Sequence, residues 1–318
     1  MPKGMISQSA VLLTTESIST TQLKEVLGKN NFTVVKETPP GEAWQFGGAS
    51  LLIAYRPDIN GYVSIDVVNQ LWPDSMGNPK TDFTTFGAWT TGWFGPWAYP
   101  MGLQRARDHS WAWPKANEVV NRHNGFVRIR LSYAFGASKD APVLPGNYDP
   151  LDEMNFVGQI ALALLDMPGV LCYFNPNGEV LRDHSAYSRV WNECKEGRYL
   201  PLSLWSNIRL FNLNDSLTFM DTVGNAQLDI MDIEAIFPSS RYSPGDVDYY
   251  LRNVTQYLID ATPDFRTGQS IDGPNETGLS WTIEVIDDGL VAPLRKVLRL
   301  YPKTIQREVL EIVSRKVH

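Results

Sequence analysis

Residues 151–181 read LDEMNFVGQIALALLDMPGVLCYFNPNGEVL, and this stretch decides the fold. Its apolar residues recur at positions 156, 157, 160, 161, 164 and 165, which is the spacing of one face of an α-helix. Pro168-Gly169 ends that helix. Val170–Phe174 and Glu179–Leu181 then flank a turn rich in Asn, Pro and Gly, which predicts a β-hairpin. One helix joined to one hairpin indicates an α+β protein.

The same alternation of single helices and hairpins continues on both sides of this stretch. A helix is predicted to begin near Ser19, and the strands Ser50–Tyr55 and Tyr62–Val68 are joined by a turn that ends in Asn-Gly. In the second half, Ser243 introduces a helix that runs to about Asp260. We therefore predict an α+β fold with mixed or antiparallel sheets and with helices packed on one face.

The organisation into domains follows from a proline-rich stretch at residues 138–150. Because three prolines, a glycine and an asparagine suit an irregular connection, we predict an N-terminal unit at 1–145 and a C-terminal unit at 146–318. Each half also carries a hairpin that begins with tyrosine and closes on Asn-Gly, at Tyr55–Gly61 and Tyr173–Gly178. Duplication of one α+β unit is therefore one interpretation of the chain.

Composition limits the class of protein. The chain has 318 residues, of which 43% are hydrophobic and 20% are charged, so it can bury a sizeable core. It contains no apolar run long enough for a membrane helix, and its first residues lack the pattern of a signal peptide, so we expect a cytoplasmic protein. Two cysteines, Cys172 and Cys194, agree with a reducing compartment. The net charge of -7 argues against general binding to nucleic acids.

Residues that could carry catalysis do not form a recognised pattern in the sequence. The four histidines, His109, His123, His184 and His318, show no metal-binding spacing. There is no Gly-x-Ser-x-Gly turn around a serine and no glycine-rich phosphate loop. We therefore expect a protein without enzymatic activity, catalytic residues, cofactor or bound metal.

Acidic residues concentrate in the second half. Residues 215–288 contain 14 carboxylates, three arginines and no lysine. Asp229, Asp232 and Glu234 alternate with apolar residues, so a strand over 226–237 with one extra residue near Met231 would present all three acids to solvent. Three interpretations remain open: a metal site of a hydrolase, a docking surface for a basic partner, or ordinary solvated positions. Asp246 and Asp248, on the helix that follows, would extend the docking surface.

A tryptophan-rich segment at residues 72–113 holds six of the ten tryptophans. Trp89, Trp93 and Trp97 could form a surface that binds a partner, because aromatic side chains dominate interface hot spots. The other interpretation is that the segment packs its own aromatic rings into a small core.

The second half resembles a bacterial domain-of-unknown-function family. The resemblance covers residues 150–300 best and lies in Ala161–Pro176, in Met220–Asn225 with its Thr222-Val223-Gly224 turn, and in the strand with Asp232-Ile233-Glu234. A closing segment follows that reads Gly268–Gly273 here, which departs from the Gly-Asp-Thr-x-x-Gly pattern of the family. Proteins similar to this family are encoded beside polymorphic or type VI toxins and serve as immunity proteins. The resemblance implies a binding protein that neutralises a basic toxin domain, such as a nuclease. A metal-dependent hydrolase and a regulatory or structural binding module are the alternatives.

Overall fold

The computed structural model describes residues 3–135, 142–274 and 279–305. The chain forms two compact units, Met1–Trp205 and Ser206–His318. The sequence-based boundary after residue 145 therefore lies too early, because the hairpin over 170–182 pairs with the first strand of the protein and completes the first sheet. Residues 136–141, which include part of the proline-rich stretch, lie outside the described residues.

The first unit contains most of the helices that the structure describes. Its strands are β1 (Gln8–Thr14), β2 (Val34–Thr38), β3 (Ala49–Arg56), β4 (Gly61–Val68), β5 (Gly125–Ser132), β6 (Val170–Asn175) and β7 (Val180–Arg182). Its helices are α1 (Thr20–Lys29), α2 (Phe83–Thr90), α3 (Gly102–Asp108), α4 (Ala116–Val120), α5 (Pro150–Leu165), α6 (His184–Gly197) and α7 (Leu202–Trp205). The seven strands form one antiparallel sheet in the order β2-β3-β4-β5-β1-β6-β7.

Both faces of the first sheet are covered, which differs from the predicted packing on one face. On one face, Gln8 of β1 donates a hydrogen bond to Glu153 of α5 at 3.2 Å. On the other face, the Ser9 hydroxyl lies 3.5 Å from the carbonyl oxygen of Phe94 in the tryptophan-rich segment. Every residue of β1 is buried as a result. β1 therefore lies between the two layers that cover the sheet.

The second unit is a mixed sheet with one long helix. Its elements are β8 (Asn207–Asn212), β9 (Leu217–Val223), β10 (Asp232–Pro238), α8 (Pro244–Ala261), β11 (Ser270–Asp272), β12 (Ser280–Ile286) and β13 (Val297–Pro302). The strand order is β11-β12-β13-β10-β9-β8, and only the β10–β13 pair is parallel in the described part. The apolar face of α8 packs on the sheet through Val247, Leu251 and Leu258. The predicted α+β class is confirmed.

The two tyrosine-led hairpins both belong to the first sheet. The hairpin at Tyr55–Gly61 joins β3 to β4, and the hairpin at Tyr173–Gly178 joins β6 to β7. They therefore do not mark corresponding places in two units. The similarity of the two hairpins therefore does not support duplication of one α+β unit.

We expect Leu164→Ala to destabilise the first unit by about 2 to 5 kcal/mol, because Leu164 is fully buried on the packed face of α5 and the variant leaves a cavity. Leu162→Ala is the matched control, since Leu162 is only partly buried. Denaturant unfolding of both variants measures the difference. Equal losses would show that the buried face of α5 is wrongly assigned.

Candidate functional site

A row of charged side chains crosses four adjacent strands of the second sheet. Its members stand in register on neighbouring strands: Arg209 on β8, Asp221 on β9, Glu234 on β10 and Arg299 on β13. All four are buried, with between 0% and 6% of their surface exposed. Arg209 Nε donates to Asp221 at 2.9 Å, and Arg299 Nε donates to Glu234 at 2.9 Å. We call this set the charge row.

Arg295 connects the charge row to Asp232. Its Nε lies 2.7 Å from an Asp232 carboxylate oxygen, and its Nη2 lies 2.9 Å from an Asp221 oxygen. The other Asp232 oxygen accepts hydrogen bonds from the Thr222 hydroxyl and from the backbone N–H of Asn225, each at 3.0 Å. Three carboxylates and three guanidinium groups therefore neutralise one another inside the unit.

The pKa shifts follow from these contacts. Burial alone favours the neutral acid, but Arg209 and Arg295 outweigh it and hold the pKa of Asp221 below its usual range. Burial raises the pKa of Glu234, although Arg299 and the backbone N–H of Leu290 oppose that shift. Burial opposes charging Arg295, but Asp232 and Asp221 prevail and raise the pKa of its guanidinium. Arg295 thus remains a cation.

The predicted acidic surface over residues 226–237 is wrong. Asn225–Leu228 form a 3₁₀ turn, Asp229 ends that turn in a left-handed conformation with φ 61°, and the strand begins only at Asp232. Asp229 is exposed, whereas Asp232 and Glu234 face the interior and their arginine partners. The three acids therefore do not share one solvent face. The acids that alternate with apolar residues in this strand, Asp232 and Glu234, are therefore buried polar residues and not solvent-exposed ones.

The hydrogen bonds of Asp232 and Glu234 argue against the interpretation of these acids as a metal site. A metal ion needs carboxylate oxygens that converge and are free to bind it. The oxygens of Asp232 are taken by Arg295 and by donors of the 222–225 turn, and those of Glu234 by Arg299 and Leu290. Within the part of the chain that the structure describes, no three His, Cys, Asp or Glu side chains are grouped so that they could hold a metal. Asp229, Asp232 and Glu234 do not fit a metal centre.

The sequence carried one signal of this interior row. Residues 289–318 hold seven Lys and Arg against two Glu, and Arg299 stands between leucines in a buried strand. An arginine flanked by apolar residues in a strand predicts a buried partner of opposite charge. Arg295 and Arg299 are more than 60 positions from Asp232 and Glu234, respectively, so spacing alone did not pair them.

The first sheet holds a smaller version of the same arrangement. Asp66 on β4 pairs with Arg128 at 2.6 Å and with Arg130 at 3.0 Å, and all three side chains are buried. The two arginines also donate to backbone carbonyls of residues 44–46, and the N–H of Gly48 donates to Asp66 at 2.9 Å. These contacts fasten the 44–48 loop to the sheet.

The outer face of α8 exposes two large aromatic rings. Tyr249 is 67% exposed and Tyr257 is 47% exposed. On a helix of 3.6 residues per turn, these tyrosines fall in one stripe with Asp246, Asn253 and Asp260. The centre of the Phe265 ring lies 6.1 Å from that of Tyr257. We call this stripe the α8 face.

The acids predicted on this helix have local contacts. An Asp246 oxygen lies 2.7 Å from the hydroxyl of Ser243, which caps the helix, and Asp248 pairs with Arg252 at 3.1 Å. Both are partly exposed. Asp246 belongs to the α8 face, whereas Asp248 lies to one side of it.

The tryptophan-rich segment is chiefly a packed mini-core. Trp89 is buried, so its predicted place on a docking surface is wrong: its indole N–H donates to the Pro73 carbonyl, and its ring contacts Phe94 at 4.6 Å. Trp93 and Trp97 are partly exposed. Trp93 packs on Phe46 and beneath the guanidinium of Arg130, at 5.7 and 5.0 Å between centres. The segment holds itself on the sheet, as the structural interpretation predicted.

Two of the histidines and both cysteines occupy structural positions. His123 accepts a hydrogen bond from the backbone N–H of Trp72, and burial lowers its pKa. His184 pairs with Asp166 on the surface at 3.0 Å. Both cysteines are buried, and burial raises the pKa of each thiol. His318 lies outside the described residues.

Comparison with known proteins places three of the four charge-row residues, all but Arg209, inside the range of a known domain. Residues 221–301 match a family described as a domain of unknown function (DUF4261), so the resemblance of the second half to such a domain is confirmed over this range. The match includes Asp221, Asp232, Glu234, Arg295 and Arg299. No curated protein and no solved structure matches the chain. No helix in the described ranges has both the length and the apolar character needed to cross a membrane.

Arg295→Met is expected to lower the free energy of unfolding of the second unit by about 3 to 5 kcal/mol, because it leaves Asp221 and Asp232 buried without one of their partners. Lys296→Met is the matched control. Lys296 is mostly exposed and lies 4.0 Å from Asp287, so its loss should cost less than about 1 kcal/mol. Denaturant unfolding of both variants checks this difference, and equal effects would contradict a buried role for Arg295.

With Asp221→Asn, the free energy of unfolding should fall less steeply with decreasing pH than it does in wild type. Because the folded pKa of Asp221 is below its unfolded value of about 4, its contribution is present above that value and is lost as the pH falls through the folded pKa. Unfolding free energies of wild type and variant at pH 5, 4 and 3, all by the same denaturant, give the two slopes. Parallel slopes would show that Asp221 does not titrate differently on folding.

Proposed function

We propose that this protein is a non-enzymatic, cytoplasmic binding protein, an immunity protein that neutralises a cognate toxin domain by direct contact with the α8 face. The observation that carries the proposal is the exposure of Tyr249 and Tyr257 in one stripe with carboxylates. Exposed tyrosines bury a large area on binding at a small cost in side-chain entropy, and they are enriched in interface hot spots.

Charge supports a basic partner. Three carboxylates of the second unit are neutralised internally by three arginines, so its excess negative charge comes from the remaining acids. Asp246 and Asp260 put part of that charge beside the two tyrosines. A partner with a basic surface, such as the nucleic-acid cleft of a nuclease toxin, would be attracted at long range and then anchored by the aromatic rings.

The acidic strand that first suggested docking does not support this proposal, since Asp232 and Glu234 are internal. The support comes from α8, which lies within the range that matches the domain of unknown function. A metal-dependent hydrolase is disfavoured, because two of the three carboxylates that it would require, Asp232 and Glu234, are bound to arginines. A regulatory binding module would use the same face toward a different partner, and the choice of partner in the experiment separates the two.

The test measures affinity for the toxin domain encoded by the neighbouring gene. Tyr257→Ala and Tyr249→Ala should each weaken binding by about 2 kcal/mol or more if the rings are hot spots. Asp260→Lys should mainly slow association, and its effect should shrink as salt is added.

Asp215→Lys is the control, because it makes the same change of charge on an exposed loop position of the same unit. Circular dichroism confirms that each variant keeps its fold. If the tyrosine variants bind as wild type does, the α8 face is not the interface. If wild type does not bind the neighbouring toxin at all, the immunity function is wrong.

A further inference from the structure

A cleft in the first unit has the size and the lining of a ligand-binding site, and it is separate from the α8 face. It encloses about 740 Å³ between α1, α5 and α6, and no residue of the α8 face belongs to it. Volumes of this size are typical of binding clefts in proteins. Its lining residues include the carboxamides Asn155, Gln159 and Asn192.

Two glycines allow aromatic rings to form the walls. A Cβ atom on Gly158 would lie 2.4 Å from the ring of Trp191, so only glycine lets Trp191 approach α5. A Cβ atom on Gly197 would lie 2.0 Å from the ring of Tyr199, which folds back over the end of α6. Trp191 is further held by stacking on Tyr187, with an angle of 8° between the rings. The Trp191 wall is therefore held in place before any ligand arrives.

The polar groups of the cleft point to an uncharged ligand. One cation, Lys195, and one anion, Asp166, contribute to the lining, so it carries no net charge. The Oγ atom of Ser188 is buried and has no hydrogen-bond partner among the described residues. A buried hydroxyl without a partner is costly, and rotation of the Ser188 side chain toward a ligand that hydrogen-bonds to it would remove that cost.

We propose that this cleft binds an extended, uncharged peptide segment of another protein. A carboxamide carries a donor and an acceptor, as a peptide unit does, and can pair with the backbone at both. Asn155 and Gln159 are one helical turn apart, about 6 Å, which approximates the two-residue repeat of an extended chain, about 6.7 Å. The lining from Asn155 to Asp166 spans about 16 Å, enough for roughly five residues. Trp191 and Tyr199 would hold an apolar side chain of that peptide.

The test begins with a heptapeptide library displayed on phage and selected on the full-length protein. Selected peptides are synthesised with blocked ends, and their affinities are measured by fluorescence anisotropy. The paired variant Asn155→Ala, Gln159→Ala should weaken binding about tenfold or more, since two carboxamides lose their backbone contacts. Alanine is the strongest helix former, so α5 should remain intact.

The matched control removes two exposed carboxamides that follow β4 and lie outside both the cleft and the α8 face, Asn69→Ala with Gln70→Ala, and should leave the affinity unchanged. A sharper readout replaces single backbone amides of the peptide by esters, which removes one N–H donor. The ester should weaken binding to wild type but have little further effect on the Asn155→Ala, Gln159→Ala variant. Failure to select any binding peptide, or peptides whose affinity is indifferent to Asn155 and Gln159, would overturn the proposal. The immunity proposal is unaffected by either result, because its interface is the α8 face.

Discussion

The register of the second sheet is constrained by the charge row. Arg209, Asp221, Glu234 and Arg299 stand opposite one another on four strands, and their side chains point to the face that α8 does not cover. Because side chains alternate between the faces of a strand, a slip of one residue would move a charge into the apolar core beneath α8. The unpaired charge would then be buried without its partner, which is far more costly than the loss of a surface pair. The row thus selects one register, and the position of α8 follows from it.

This constraint changes how the acidity of the second unit is understood. The carboxylates of residues 221–234 lie in the interior of the unit. They are neutralised there by Arg209 of β8, by Arg299 of β13 and by Arg295, two residues before β13. The acids available to a partner are the ones that remain outside, and α8 combines two of them with two exposed tyrosines. The first unit follows the same rule: Asp66 is neutralised internally by Arg128 and Arg130, and the lining of the cleft beside α5 carries no net charge.

Local patterns predicted most of the elements well. The apolar period of α5, the hairpin after it and the capped helix α8 each depend on neighbours a few residues away, and each is where the sequence places it. Long-range pairing was not accessible in the same way. The boundary after residue 145 was wrong because β6 pairs with β1, and the solvent-facing strand over 226–237 was wrong because its partners come from residues 295 and 299. Glycines 158 and 197 gave no signal in the sequence, since only the packed structure shows which rings approach them.

The most direct test of the charge row is a double-mutant cycle on Glu234 and Arg299. The two single variants, Glu234→Gln and Arg299→Met, and the double variant are compared with wild type by denaturant unfolding at neutral pH. Buried partners in contact should couple, so the double variant should cost less than the sum of the single variants by about 1 kcal/mol or more. Additive losses would mean that the two side chains do not depend on each other, and would contradict a register of the second sheet that is set by the charge row.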